Sequence, residues 1–164
     1  MSQAFDSPLA FAEHLVLLEA MVAVELKEGL THVLKVLKRD MIAQVGHYQD
    51  EAGPYGAWQP LTTATEAEKA RLGAPANAPL ERTGELKKSF HYETKELEGV
   101  VGSTDPVMFE HEFGTNRAPP RPVVGPALYK NREAVQAIVG HALLVAIAGR
   151  RVAHELVTLS DYDT

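Results

Sequence analysis

Apolar residues near the amino end recur at three- and four-residue intervals: Phe11, Leu15, Leu18, Val22, Leu26, Leu30, Val33, Leu37, Met41 and Val45. Such spacing keeps the side chains on one side of a 3.6-residue helix. The charges of Glu19, Lys27, Lys35 and Lys38 fall mostly off that line. Ser7-Pro8 supplies a capping hydroxyl and a proline at the first helical position, and Gly46 supplies a stop. A helix over residues 7–48 is therefore predicted. Gly29 inside it is a candidate bend, at about 1 kcal/mol relative to alanine. At ~1.5 Å per residue, even ~35 helical residues reach roughly 50 Å, more than the usual width of a domain this size. Two outcomes fit that length: part of the stripe projects onto another subunit, or the helix bends or splits and folds on its own core.

Residues 49–62 read as a loop, interrupted by Asp50, Gly53, Pro54, Gly56 and Pro60, and carry the single tryptophan, Trp58. Thr65-Glu66-Ala67-Glu68 has the capping-box form and predicts a short helix ending near Leu72. Residues 73–79 form another loop. From 83 to 113 the period changes to two. Phe90, Tyr92 and Thr94 alternate with His91, Glu93 and Lys95; Val107, Phe109, His111 and Phe113 alternate with Met108, Glu110 and Glu112. Glu98-Gly99 is a turn signal before Val100-Val101-Gly102. The expectation is a small antiparallel sheet with one face covered and the other exposed or facing a partner. Residues 114–126 are irregular and proline-rich. A second long helix is expected from near Pro126 to Arg151 or beyond, with Leu128, Val135, Ile138, Ala142, Val145 and Val152 as its stripe and a frayed acidic tail at residues 160–164. The fold class is α+β in one domain over residues 1–164: a long N-terminal helix (1–48), loops and a small antiparallel β-sheet (49–126), and a long C-terminal helix (127–158).

Composition narrows the chemistry. A chain of 164 residues with 45% hydrophobic and 23% charged residues fits an ordinary globular domain. Having no cysteine, it has no disulfide, thiolate metal site or cysteine nucleophile; that suits synthesis in a reducing cytoplasm. A net charge of −6 argues against gripping a DNA duplex, although like-charge repulsion would suit a wall that DNA slides past. Residues 1–8 carry no basic residue ahead of the apolar segment, so no secretory signal is expected. Residues 134–149 lack a formal charge if His141 is neutral, but a run of roughly 16 falls short of the ~20 a bilayer span needs. A buried or interface helix is expected there, not a membrane partner.

The middle of the chain carries an ordered set of short motifs. Gly56-Ala57-Trp58-Gln59-Pro60-Leu61-Thr62 is followed by Lys69 and Gly73, then by Pro79-Leu80-Glu81-Arg82-Thr83-Gly84-Glu85-Leu86-Lys87-Lys88-Ser89-Phe90. Next come Val100-Val101-Gly102-Ser103 and Phe109-Glu110-His111-Glu112-Phe113-Gly114-Thr115, and the run closes with Pro119-Pro120-Arg121-Pro122-Val123-Val124-Gly125-Pro126-Ala127. Over about residues 50–130 this set resembles the bacteriophage virion-morphogenesis and tail-completion family of minor tail, head–tail joining proteins. Val123 departs from it, standing where the family often has phenylalanine. So does Val107-Met108-Phe109, where a tyrosine-alanine pair is common before the turn. The resemblance implies a structural virion protein without catalytic residues, cofactor or metal. It implies a homo-oligomeric ring, a hexamer, in the neck or head-proximal tail, bound to tail-tube, tail-terminator and connector proteins while genomic DNA passes without specific binding. The residues it singles out are Trp58, Pro60, Leu61, Arg82, Thr83, Gly84, Leu86, Phe113, Gly114, Thr115, Arg117, Pro119, Pro120, Arg121 and Pro122.

The same residues have a physical reading. Thr83 places a capping hydroxyl at a short helix beside Gly84. Phe113-Gly114-Thr115 ends a strand at a glycine turn. Pro119-Pro120-Arg121-Pro122 is stiff, which suits either an arm docking on a neighbour at low entropic cost or a rigid loop serving its own fold. Arg117, Arg121, Lys130 and Arg132 lie in a stretch, 115–132, without an acidic residue. That basic patch could meet an acidic face of the next subunit, DNA phosphates, or only solvent.

Catalytic signatures are sparse. His111-Glu112 opens like a zinc-protease motif, but Thr115 stands where its second histidine belongs. His91 and His111 on neighbouring strands, with Glu110 or Glu112, would make a carboxylate–imidazole metal site, so a metal-dependent enzyme is the second reading. The chain has no nucleophile elbow, P-loop or dinucleotide fingerprint.

Overall fold

The computed structural model describes residues 5–148. Its elements are α1 (Pro8–Gln44), α2 (Thr63–Arg71), α3 (Glu85–Lys88), β1 (Phe90–Lys95), β2 (Glu98–Ser103), α4 (Val107–Phe113), α5 (Val124–Lys130) and α6 (Arg132–Ala148). The class is α+β, with a long helix at each end of the described chain and a two-stranded antiparallel sheet, β1 paired with β2. The residues group into two compact units. One comprises residues 34–93 and 100–133; the other comprises, of the described residues, 5–33, 94–99 and 134–148.

Helix α1 starts where the serine–proline signal puts it: the Ser7 hydroxyl accepts the Ala10 N–H at 3.1 Å. It runs unbroken past Gly29. Its apolar stripe is unevenly used. Val33, Leu34, Leu37, Met41 and Val45 are buried, Leu18, Val22, Leu26 and Leu30 are half-buried, and Phe11 and Leu15 are exposed. The helix stops at a left-handed Gly46 (φ 96°), whose N–H donates to the Pro79 carbonyl at 2.8 Å.

In the unit of residues 5–33 and 134–148, Gly29 is a point of close approach and not a bend. A Cβ there would stand 2.8 Å from the Ala142 Cβ of α6. Ala142, Val145 and Ala146 are the buried residues of α6. At residues 94–99, the Thr94 hydroxyl meets that of Thr31 at 3.3 Å.

In the unit of residues 34–93 and 100–133, the buried set includes Leu34, Leu37 and Met41 from α1 and Val45 just after it, with Trp58, Pro79, Leu86, Phe90, Met108, Val123 and Ala127. Buried Gln44 ties α1 to the chain ahead of α5, donating from Nε2 to the Val123 carbonyl at 3.2 Å. Two tyrosines lock the 50–56 loop to α5. A Cβ on Gly53 would fall 2.2 Å from the Tyr129 ring, and one on Gly125 would fall 2.5 Å from the Tyr55 ring.

Several predicted boundaries move. Residues 107–113 form helix α4 and not a strand. The Asp105 carboxylate accepts the Val107 N–H at 3.0 Å, and Pro106 precedes the helix with φ −61°. Met108 is buried and His111 and Glu112 are half-buried, an i, i+3, i+4 set that only a helix puts on one face. The hairpin turn falls at Glu96-Leu97 and not at Glu98-Gly99, with Glu96 in left-handed backbone (φ 52°). Helix α2 is capped three residues earlier than expected: the Thr62 hydroxyl accepts the Thr65 N–H at 3.2 Å. At α3 the capping position belongs to left-handed Gly84 (φ 82°), and the Thr83 hydroxyl makes only a long 3.4 Å contact to the Glu85 N–H. The second long helix is broken at Asn131, whose amide donates to the Ala127 carbonyl at 2.9 Å and to Asp40 at 2.8 Å. Its predicted extension past residue 148, with Arg151 and Val152, and the acidic tail lie outside the described residues.

Candidate functional site

The motif residues converge in the unit of residues 34–93 and 100–133. Pro60, Leu61, Arg82, Thr83, Gly84, Leu86, Arg117, Pro119 and Arg121 line one cleft of about 590 Å³, together with Lys69, Leu80 and His111. Phe113, Pro119, Pro120 and Pro122 line a second cleft of about 980 Å³ with Tyr55, Met108 and Phe109. Trp58 lines neither. It is buried, and its backbone N–H donates to the Gln49 carbonyl at 2.9 Å, so its role is to hold the loop ahead of Pro60.

Local structure explains each placement. The Leu61 N–H donates to the Tyr48 hydroxyl at 3.0 Å, fixing the loop after α1. Pro79 is fully buried, and Leu80 beside it is held in left-handed backbone (φ 64°), a strained conformation for leucine that aims the Arg82-Thr83-Gly84 turn. Thr115 builds a tight turn: its hydroxyl accepts the N–H groups of Arg117 at 3.2 Å and Ala118 at 3.1 Å. Gly114 (φ 75°) is required there, because a Cβ would press on the Pro120 nitrogen at 2.8 Å. The proline segment then lies against its own chain, the Arg121 N–H donating to the His111 carbonyl at 2.7 Å.

Helix α4 is the wall common to both clefts. On one side it carries Val107 and His111; on the other it carries Phe109 and Phe113. Those phenylalanines are 70% and 68% exposed and stack on each other at 4.8 Å between ring centroids. Between the two sides stands Glu112. Its Oε2 accepts the N–H groups of Val123 at 2.7 Å and Val124 at 3.1 Å, and its Oε1 accepts that of Gly125 at 2.9 Å. A distant carboxylate thus caps α5, where no local side chain does. Nothing in the sequence around residue 124 announces this.

The basic stretch does not form a continuous patch. Arg121 is buried, its Nη2 donating to the Gln59 carbonyl at 3.0 Å. Lys130 reaches Gln49, and Arg132 stacks on the Tyr129 ring and pairs with Glu133 at 3.1 Å. Arg117 is exposed and makes no ion pair among the described residues. His111 is held below the usual histidine value by burial first and by the Arg121 guanidinium second, with Glu110 and Asp105 pulling the other way. Lys69 escaped the sequence reading as a site residue. It is buried on α2, donates to the Ala78 carbonyl, and is held below its ordinary value by burial, against Glu81 and Glu66.

The strand pairing of His91 with His111 does not occur as expected: His91 is on β1, and His111 is on a helix. Glu112 is committed to the start of α5. Among the described residues no three histidine, aspartate or glutamate side chains are grouped to hold a metal ion, and no helix is long and apolar enough to cross a membrane.

No family model matches the chain, and neither a curated protein nor a solved structure is significantly similar to it.

Proposed function

We propose that the protein is a structural component of a tailed-bacteriophage virion, acting in tail completion and head–tail joining as one subunit of a homo-oligomeric ring in the neck. The observation that supports this reading most directly is the surface of α1. Leu9 and Val16 lie seven apart on the helix, Leu17, Met21 and Val24 follow at four and three, and each of the five is more than half exposed. Large apolar side chains exposed together on one helix mark a contact surface, because leaving them in water forfeits the gain of burial, roughly 25 cal/mol per Å². The motif resemblance supplies the identity of the assembly, with tail-tube, tail-terminator and connector proteins as the further partners.

The test is direct. The purified protein is expected to form rings by electron microscopy and light scattering, and a Leu17→Glu/Met21→Glu double variant is expected to be a folded monomer of unchanged melting temperature. Phage carrying that variant is expected to accumulate unjoined heads and tails. A wild-type protein that stays monomeric with every neck and tail partner, or that is missing from finished virions, overturns the proposal.

A further inference from the structure

The 590 Å³ cleft contains an electrostatic anomaly. Lys69 and Arg121 both line it and are only 8% and 7% exposed, yet neither is ion-paired among the described residues. Buried lysine and arginine are almost always paired, since an uncompensated buried charge costs several kcal/mol. Lys69 donates to the Ala78 carbonyl and feels Glu81 and Glu66 only from beyond ion-pair distance, and the Arg121 side chain has the Gln59 carbonyl alone. The Arg121 Nε is buried without any acceptor. Exposed Arg117 adds a third unpaired cation at the same cleft.

The acidic residues lining the cleft are occupied elsewhere. Glu68 pairs with Arg82 at 3.4 Å, Glu81 with Lys87 at 2.9 Å and Glu85 with Lys88 at 2.8 Å, and Asp105 caps α4. The cleft therefore holds more positive than negative charge that is free to act on a ligand.

We propose that this cleft is a carboxylate-binding site that seats an aspartate or glutamate side chain of an acidic, partly apolar segment of a partner protein. A guanidinium and an ammonium lining one cleft can each make charge-assisted hydrogen bonds to a carboxylate, the stronger class of such bonds. The wall also contains Leu61, Leu72 and Leu80, which suit the methylenes and apolar neighbours of a peptide side chain. The excess of positive charge is small, so a monovalent carboxylate fits better than phosphate. A chain of net charge −6 opposes a nucleic-acid backbone. That the carboxylate arrives on a protein rests on the assembly reading; the charge imbalance of the cleft does not.

Fluorescence anisotropy tests the site with a labelled acetyl-Ala-Leu-Asp-Leu-Ala-amide peptide and its asparagine twin. The aspartate peptide is expected to bind about tenfold more tightly, a difference of ~1.4 kcal/mol. Arg117→Ala, at an exposed position, is expected to weaken it several-fold while leaving the melting temperature unchanged. Equal binding of the two peptides, undiminished affinity in R117A, or tighter binding of free glutarate or inorganic phosphate than of the peptide overturns the assignment. Ring formation is scored on the same samples, so intact rings without peptide discrimination sink the cleft assignment alone, and peptide discrimination without rings sinks the assembly reading alone.

Discussion

Glu112 shows how much one side chain can organise. It collects three backbone N–H groups that open α5, across eleven to thirteen positions of sequence. Bonds to a charged acceptor are the stronger kind, and donors left unmet in a half-buried place lose what solvent would have given them. Glu112→Ala is expected to lower stability by about 1–3 kcal/mol, with Glu112→Gln losing less because one oxygen still accepts. Denaturant unfolding measures both, and an alanine variant within ~0.5 kcal/mol of wild type contradicts this account. His111, one position earlier, sets a pH dependence. Its folded value lies below the ordinary 6.5, so the unfolded chain binds more protons in the interval between them. The stability linked to the neutral ring is complete above about pH 6.5 and is lost as the pH falls through the depressed folded value. Wild type is expected to lose more melting temperature between pH 7.5 and 5.5 than His111→Gln; identical losses would show that His111 carries no such linkage.

At the level of elements, the long helices were legible because α1 repeats its apolar signal over ten positions. Helix α4 was not, because a seven-residue run holding Phe109 and Phe113 four apart satisfies a period of two as well as an i, i+4 pair. What separates the readings is the Asp105 cap, a local bond two residues long, and the inward set Met108, His111 and Glu112, which is a tertiary fact. The break at Asn131 was hidden for the same reason: its amide bonds to Asp40, 91 positions away. Gly29 was noticed, but for flexibility, whereas α6 uses it for contact. Gly29→Ala isolates that difference. Helix propensity favours alanine by about 1 kcal/mol, while forcing a methyl against Ala142 costs about 1–3 kcal/mol. The variant is expected to be less stable by on the order of 1 kcal/mol in thermal and denaturant unfolding. A gain in stability would mean that the two backbones separate freely at this point.

For the molecule as a whole, the class, the helix at each end of the described chain and the hairpin could be read from periodicity. The clefts could only be guessed through short motifs. Pro60, Arg82 and Arg121 read as separate loops in one dimension, yet they line one cleft, where the Arg121 guanidinium reaches the Gln59 carbonyl across 62 positions. The unpaired state of Lys69 and Arg121 had no sequence signal at all, because burial and the absence of a counterion are properties of the folded chain. The proline-rich segment was read as either a docking arm or a rigid loop, and it lies against its own chain at Arg121.

The two tyrosine-on-glycine contacts have a consequence for descent. Gly53 admits the Tyr129 ring and Gly125 admits the Tyr55 ring only because neither has a Cβ, so all four positions are sterically interdependent. Loss of a glycine evicts a ring, and loss of a ring leaves a void that selection must fill. The quartet, spaced G-x-Y and then G-x-x-x-Y, behaves as a single heritable unit. It offers a fingerprint for remote kin whose remaining residues have drifted beyond recognition.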